Sequence, residues 1–150
     1  FEQAEIAKLC RRTYRSKNSG GIMTLITGGA YSGKTEFAIK KFNIKSTDII
    51  DGAECSLEQV FACRAIRNFQ LLVKRFGIND GAALTRTIHL ENPDLIIITN
   101  EIGSGIIPME KSDRIWREET GRACCAAAGF SDLVVRMCCG IPTAIKGELP

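Results

Sequence analysis

The 150 residues are 45% hydrophobic and 25% charged, a balance that excludes a disordered chain and gives one domain enough apolar material for a core. The formal charge of +3 sits in residues 1–22, where five basic side chains meet two acidic ones; the fifteen basic and fifteen acidic residues that follow cancel, and such a neutral body lacks the basic footprint of a nucleic-acid binder. No apolar run reaches the ~18 residues of a membrane-spanning helix, no secretory pattern opens the sequence, and seven cysteines without a C-x-x-C spacing read as reduced, buried small residues, so a cytoplasmic protein is expected.

Residues 1–17 have the spacing of an amphipathic helix and Asn18-Ser19-Gly20-Gly21 that of a flexible joint, so residues 1–22 read as an N-terminal extension ahead of a single domain over 23–150. The apolar run 22–27 is a buried strand. Directly behind it, Gly28-Gly29-Ala30-Tyr31-Ser32-Gly33-Lys34-Thr35 has the G-x-x-x-x-G-K-[ST] spacing of a phosphate-binding loop. Glycines let the backbone curl so that successive N–H groups point at phosphate oxygens, and the positive end of the helix expected over about 33–42 adds to the anion field. In that arrangement Gly28 to Thr35 bind the nucleotide, Lys34 reaches the β- and γ-phosphates as a catalytic residue, and Thr35 holds Mg²⁺.

A short strand follows over 47–51, and its last residue, Asp51, is placed to hold Mg²⁺ with Thr35, directly or through water. Ser56 and Gln59 form a possible capping box that opens a long helix with Leu57, Val60, Phe61, Ile66, Phe69, Leu72, Val73 and Phe76 on its apolar face and Gly77 at its end. Asp80 caps a second helix that stops near Asn92-Pro93. It carries the one histidine, His89, for which a partly buried structural role is the better reading. Residues 94–99 read as a buried parallel strand that runs into Asn100-Glu101-Ile102-Gly103-Ser104-Gly105, putting Glu101 at the carboxyl edge of the sheet as a second candidate for the metal or for the acceptor hydroxyl. On the helix expected over 112–129, Arg114, Arg117 and Arg122 fall within about 140° of one face and could offset transition-state charge; Trp116, on another face, is a packing anchor. Residues 132–138 form the last strand. Four β-runs separated by helices imply an α/β fold of three layers, P-loop NTPase-like, with a mainly parallel sheet.

Together these stretches resemble the adenosylcobinamide kinase/adenosylcobinamide-phosphate guanylyltransferase family of cobalamin biosynthesis. Gly28 to Thr35 is similar to its G-G-A-R-S-G-K-[ST] loop, Thr99 to Pro108 to its T-N-E-V-G-x-G-[IV]-V-P segment, Arg114 to Arg122 to its R-x-[FW]-R-[DE]-x-x-G-R helix, and Gly140-Ile141-Pro142 with Lys146 to its G-I-P-x-x-[IL]-K ending. The resemblance implies a kinase that uses ATP or GTP with Mg²⁺, a corrinoid substrate (adenosylcobinamide), and a homo-oligomer that associates through edges of the sheet. It also departs from the family: Tyr31 stands where the loop usually has Arg, Cys124-Cys125 where Asn-Gln follows, and Asp51-Gly52-Ala53-Glu54 where D-C-L-T is usual. The strand and helix that carry the family's guanylylated histidine are missing, because only fifteen residues separate Thr35 from Asp51 and none is histidine. Kinase chemistry without guanylyl transfer is therefore the expectation. A nucleotide-binding module without turnover, or a P-loop kinase of another small metabolite, are the alternatives.

Overall fold

The computed structural model describes residues 21–150; the helix expected over residues 1–17 and all but Gly21 of the joint at 18–21 lie outside the described residues. In chain order the elements are β1 (Thr24–Gly28), α1 (Lys34–Phe42), a 3₁₀ turn (Ser46–Asp48), β2 (Ile49–Asp51), α2 (Leu57–Ala62), β3 (Ala65–Arg67), α3 (Phe69–Phe76), α4 (Gly81–Glu91), β4 (Ile96–Asn100), α5 (Lys111–Phe130), β5 (Leu133–Cys138) and β6 (Ile141–Lys146). The strands form one sheet in the order β2-β3-β4-β1-β5-β6, parallel except for the antiparallel pair β5/β6.

Three layers result because alternate residues of the central strands face opposite ways and both faces are apolar. Ile26, Ile98 and Val135 pack with Phe37 and Ala38 of α1 on one face. Leu25, Ile97 and Val134 pack on the other with Phe69, Leu72 and Val73 of α3, Leu84 and Ile88 of α4, and Ala123 and Ala127 of α5. The α/β three-layer architecture expected from the sequence is present, and β1 lies inside the sheet between β4 and β5.

Two sequence-based expectations change. The single long helix after Ser56 is two helices with a strand between them: α2 ends at Ala62, β3 enters the sheet between β2 and β4, and α3 starts at Phe69. A continuous helix cannot bury Ala65 and Ile66 against opposite layers, and both are fully buried, Ala65 toward α1 and Ile66 toward α3. The capping box at the start of α2 is present, with Ser56 Oγ accepting from Gln59 N–H and Gln59 Oε1 from Ser56 N–H. Asp80 caps α4 through Ala83 N–H at 2.9 Å. Secondly, Cys138 does not end the sheet. Cys139 and Gly140, both with positive φ, make a tight turn into β6, whose Pro142 is tolerated because the strand is at an edge.

The cysteines also differ from expectation. Among the described residues six are free thiols, of which only Cys55 is buried and Cys125, Cys138 and Cys139 are exposed.

Candidate active site

The loop between β1 and α1 curls under three positive φ values, at Gly28 (151°), Tyr31 (58°) and Gly33 (87°). Gly28 is compelled by space as well: a Cβ there would lie 2.5 Å from Met137 O and 2.9 Å from Ser32 Oγ. The turn between β5 and β6 braces the loop, because Gly140 N–H donates to Ser32 O at 3.1 Å.

Lys34 opens α1 and folds back into the curl. Its Nζ donates to Gly28 O (3.2 Å), Gly29 O (2.5 Å) and Ser32 Oγ (3.4 Å), and the residue is only 6% exposed. No carboxylate forms an ion pair with it among the described residues. Burial pushes its pKa below the usual lysine value, and the negative charge of Glu101 partly offsets that. A buried ammonium that touches carbonyl and hydroxyl oxygens but no counter-ion is a cation placed for an anion from outside.

The loop faces a cleft of ≈ 750 Å³ lined by Tyr31 to Glu36, by Asp51, Arg67 and Asn68 from the ends of β2 and β3, by Asn100 from β4, and by Gly140. The structure thus brings the phosphate loop, Thr35 and Asp51 to one cleft. Tyr31 stands fully exposed at its mouth. Asp51 lies at its far end, since β2 is three strands from β1, or about 14 Å at ordinary strand spacing. Its carboxylate accepts from Ala53 N–H (2.9 Å), from Asn68 Nδ2 (3.0 and 3.2 Å) and from Arg67 Nε (3.1 Å). Desolvation raises its pKa, but those hydrogen bonds and the Arg67 charge outweigh it and hold the carboxyl below its ordinary value.

Glu101 directly follows β4, the strand beside β1, and its N–H donates to Gly28 O at 3.0 Å. Its side chain pairs with Arg136 Nε at 3.1 Å and is not part of the cleft wall. Arg114, Arg117 and Arg122 do not line the cleft either. Arg114 donates to Pro108 O (3.0 Å) and Met109 O (2.6 Å), and Arg117 to Gly103 O and Ile106 O, so these two hold the segment after Glu101. Arg122 pairs with Glu118 and Glu119. Trp116 donates Nε1–H to Gln70 O at 2.7 Å beneath the Lys74 ammonium, a packing role. His89 stacks on Phe130 with ring centroids 4.4 Å apart; it sits near the end of α4 that precedes β4, at the opposite edge of the sheet from the phosphate loop.

Sequence reasoning missed Arg67, Asn68 and Gly140 as parts of the cleft, whereas Asn100 lies at the carboxyl edge of β4 where the strand pattern puts its carboxamide. Arg67 and Asn68 were hidden inside the presumed long helix. Gly140, a lone glycine between the apolar run 132–138 and Ile141, was a usable turn signal, and it takes the positive φ (77°) that the turn needs.

For a triphosphate and Mg²⁺ the donor set fits: a buried unpaired ammonium, loop amides, the Thr35 hydroxyl at the start of α1, and an ionised carboxylate across the cleft. Mg²⁺ characteristically keeps several waters and takes one or two protein oxygens plus phosphate. Residues 70–145 match a family model described as cobinamide kinase / cobinamide phosphate guanyltransferase. No curated protein matches the chain. The matched stretch takes in nearly all of α3, then α4, β4, α5, β5 and nearly all of β6, whereas the phosphate loop precedes it and stands on its own geometry.

Proposed function

The chain belongs to the cobinamide kinase / cobinamide phosphate guanyltransferase family, and from that premise we propose that it is a Mg²⁺-dependent kinase that moves the γ-phosphoryl group of ATP or GTP onto the aminopropanol hydroxyl of adenosylcobinamide, without guanylyl transfer. The observation that carries this reading is Lys34, buried in the glycine loop with no counter-ion among the described residues.

In the proposed mechanism the loop amides and Lys34 bind the β- and γ-phosphates and keep them in line with the acceptor, so that rate comes from positioning and charge neutralisation. Mg²⁺, when bound, would supply further charge neutralisation at the triphosphate. Thr35 would hold it, and Asp51, ionised at neutral pH, would lend it negative charge from the far end of the cleft. Glu101, whose side chain pairs with Arg136 outside the cleft wall, orients the acceptor hydroxyl only by leaving that pair. Arg114 and Arg117 act through the segment 103–109 that they hold beside Glu101.

Guanylyl transfer through a phosphoramidate needs an imidazole nitrogen beside the α-phosphate. Residues 36–50 contain no histidine. His89 is stacked on Phe130 at the other end of the sheet, which favours the kinase-only form.

Incubation with GTP labelled separately at the α and γ positions tests this. Label from the γ position is expected on adenosylcobinamide and none from the α position on protein. Acid-labile protein labelling from the α position overturns the exclusion of guanylyl transfer. With Lys34→Ala, phosphorylation is expected to fall by about 10²–10³-fold; an unchanged rate removes the assignment of roles.

A further inference from the structure

The end of the cleft away from the phosphate loop is built around an arginine. Arg67 closes β3, and its Nε is held by Asp51 Oδ2 at 3.1 Å while the side chain remains 53% exposed. Its two terminal amino groups hydrogen-bond to no described residue, and the side chain forms part of the cleft wall.

The support beneath it is more than a strand end requires. Asn68 adopts a left-handed backbone (φ 54°), which asparagine tolerates better than other side-chain residues, and from there its Nδ2 reaches both oxygens of Asp51. Gly52 N–H donates to Arg67 O at 2.9 Å, and a Cβ on Gly52 would lie 2.4 Å from Asn68 O. Arg75 Nη1 ties Gly52 O (3.0 Å) and Cys55 O (2.8 Å) from the helix behind. Asn68 holds the carboxylate that holds Arg67, and the other contacts fix the backbone on either side of that pair.

A guanidinium gripped through Nε presents its two amino groups as a planar fork, the geometry that binds phosphate oxygens in a bidentate manner. The strand order puts β3 two strands from β1, about 10 Å at ordinary spacing. Lys34 and Arg67 line the same cleft, so a phosphorylated ligand that fills it meets both cations. None of the helix-borne arginines 114, 117 and 122 lines the cleft.

We propose that Arg67 grips the γ-phosphoryl group in transit and as it leaves on the product, with Asp51 as its positioning residue. The proposal rests on the reading of this cleft as the phosphoryl-transfer site. In the step it serves, the bond from the acceptor oxygen to the γ-phosphorus forms and the bond to the β-bridging oxygen breaks. The hydroxyl proton passes to solvent and the nucleoside diphosphate leaves; Arg67 neither gains nor loses a proton.

The test compares the affinities of ADP and of the β,γ-imido analogue of ATP, at saturating Mg²⁺, in the wild type, Arg67→Ala, Arg67→Lys and Asp51→Asn. The wild type is expected to prefer the triphosphate. In Arg67→Ala that preference falls about tenfold while ADP affinity stays within about twofold, and kcat for adenosylcobinamide drops about 10²–10³-fold. Arg67→Lys keeps the charge and loses the fork, so it remains close to Arg67→Ala, and it carries the comparison if the alanine variant does not fold. Asp51→Asn shows a smaller loss of the same preference. An unchanged preference, no preference in the wild type, or equal weakening of ADP and analogue overturns the role of Arg67. If the wild type phosphorylates no cobinamide, the acceptor reading fails, yet the affinity ratio still decides Arg67.

Discussion

Burying an ammonium without a carboxylate against it disfavours the charged form, and Lys34 titrates below an ordinary lysine for that reason. Between its folded and unfolded pKa values the folded chain binds fewer protons, so this group's contribution to stability rises with pH through that window. A triphosphate in the loop acts in the opposite sense, drawing the pKa back up and taking up a proton wherever free Lys34 is partly neutral. Nucleotide affinity is therefore expected to fall as pH rises through the alkaline range below 10.5, and Lys34→Ala, already weak, to lose this dependence. Titration calorimetry at two pH values in buffers of different ionisation heat reads both the affinity and the proton uptake; a flat wild-type profile refutes the argument. At this scale the phosphate loop was legible because the eight-residue spacing specifies a backbone curl whatever surrounds it. Arg67 was not, because whether a lone arginine faces solvent or a cleft depends on the element that carries it.

Elements were legible where they are long or capped. Asp80 and Ser56 mark the starts of α4 and α2 through side-chain oxygens that accept the N–H three residues on, a local rule independent of the rest of the fold. β3 is three residues long, too short to show a period of two, and its Ile66 falls at a position that continues the helical pattern on either side. What the pattern did not carry was tertiary: a strand inserted between β2 and β4. The packing of α4 on α5 is equally invisible in sequence, yet it decides what two glycines tolerate. Gly81 brings the start of α4 against α5, its N–H donating to the buried Glu119 Oε2 at 2.8 Å, and a Cβ there would lie 2.3 Å from Glu119 O. Gly121 is in the middle of α5 with nothing within 4 Å of where its Cβ would be. Gly81→Ala is expected to destabilise by about 1–3 kcal/mol through forced separation of the helices. Gly121→Ala should stabilise by about 0.5–1 kcal/mol through reduced unfolded-chain freedom. Denaturant midpoints at unchanged slope measure both, and the same sign for the two substitutions disproves the packing argument.

The whole molecule ends its sheet in two different ways. β2, at one end, is three residues long and leaves little open edge, whereas β6 at the other is six residues long, and among the described residues no strand pairs with its outer side. The exposed face of β6 carries Ile141 (67% exposed) and Ile145 (62%) on either side of Thr143. A long, open, apolar edge is a template for another strand, which soluble chains ordinarily blunt with charge or cover. Association through this edge agrees with what the family resemblance implies about sheet edges, and it carries a consequence for the cleft. The turn into β6 donates Gly140 N–H to Ser32 O, so whatever steadies β6 also steadies the phosphate loop. The chain is expected to run as an oligomer at tens of micromolar in light scattering, and Ile145→Lys, which puts a charge on that face, to run as a monomer with several-fold weaker nucleotide binding. A wild type that is monomeric at that concentration rules out β6 as an interface. A monomeric variant with full nucleotide affinity would instead separate the interface from the loop and leave the Gly140 to Ser32 hydrogen bond as a brace that β5 alone can hold.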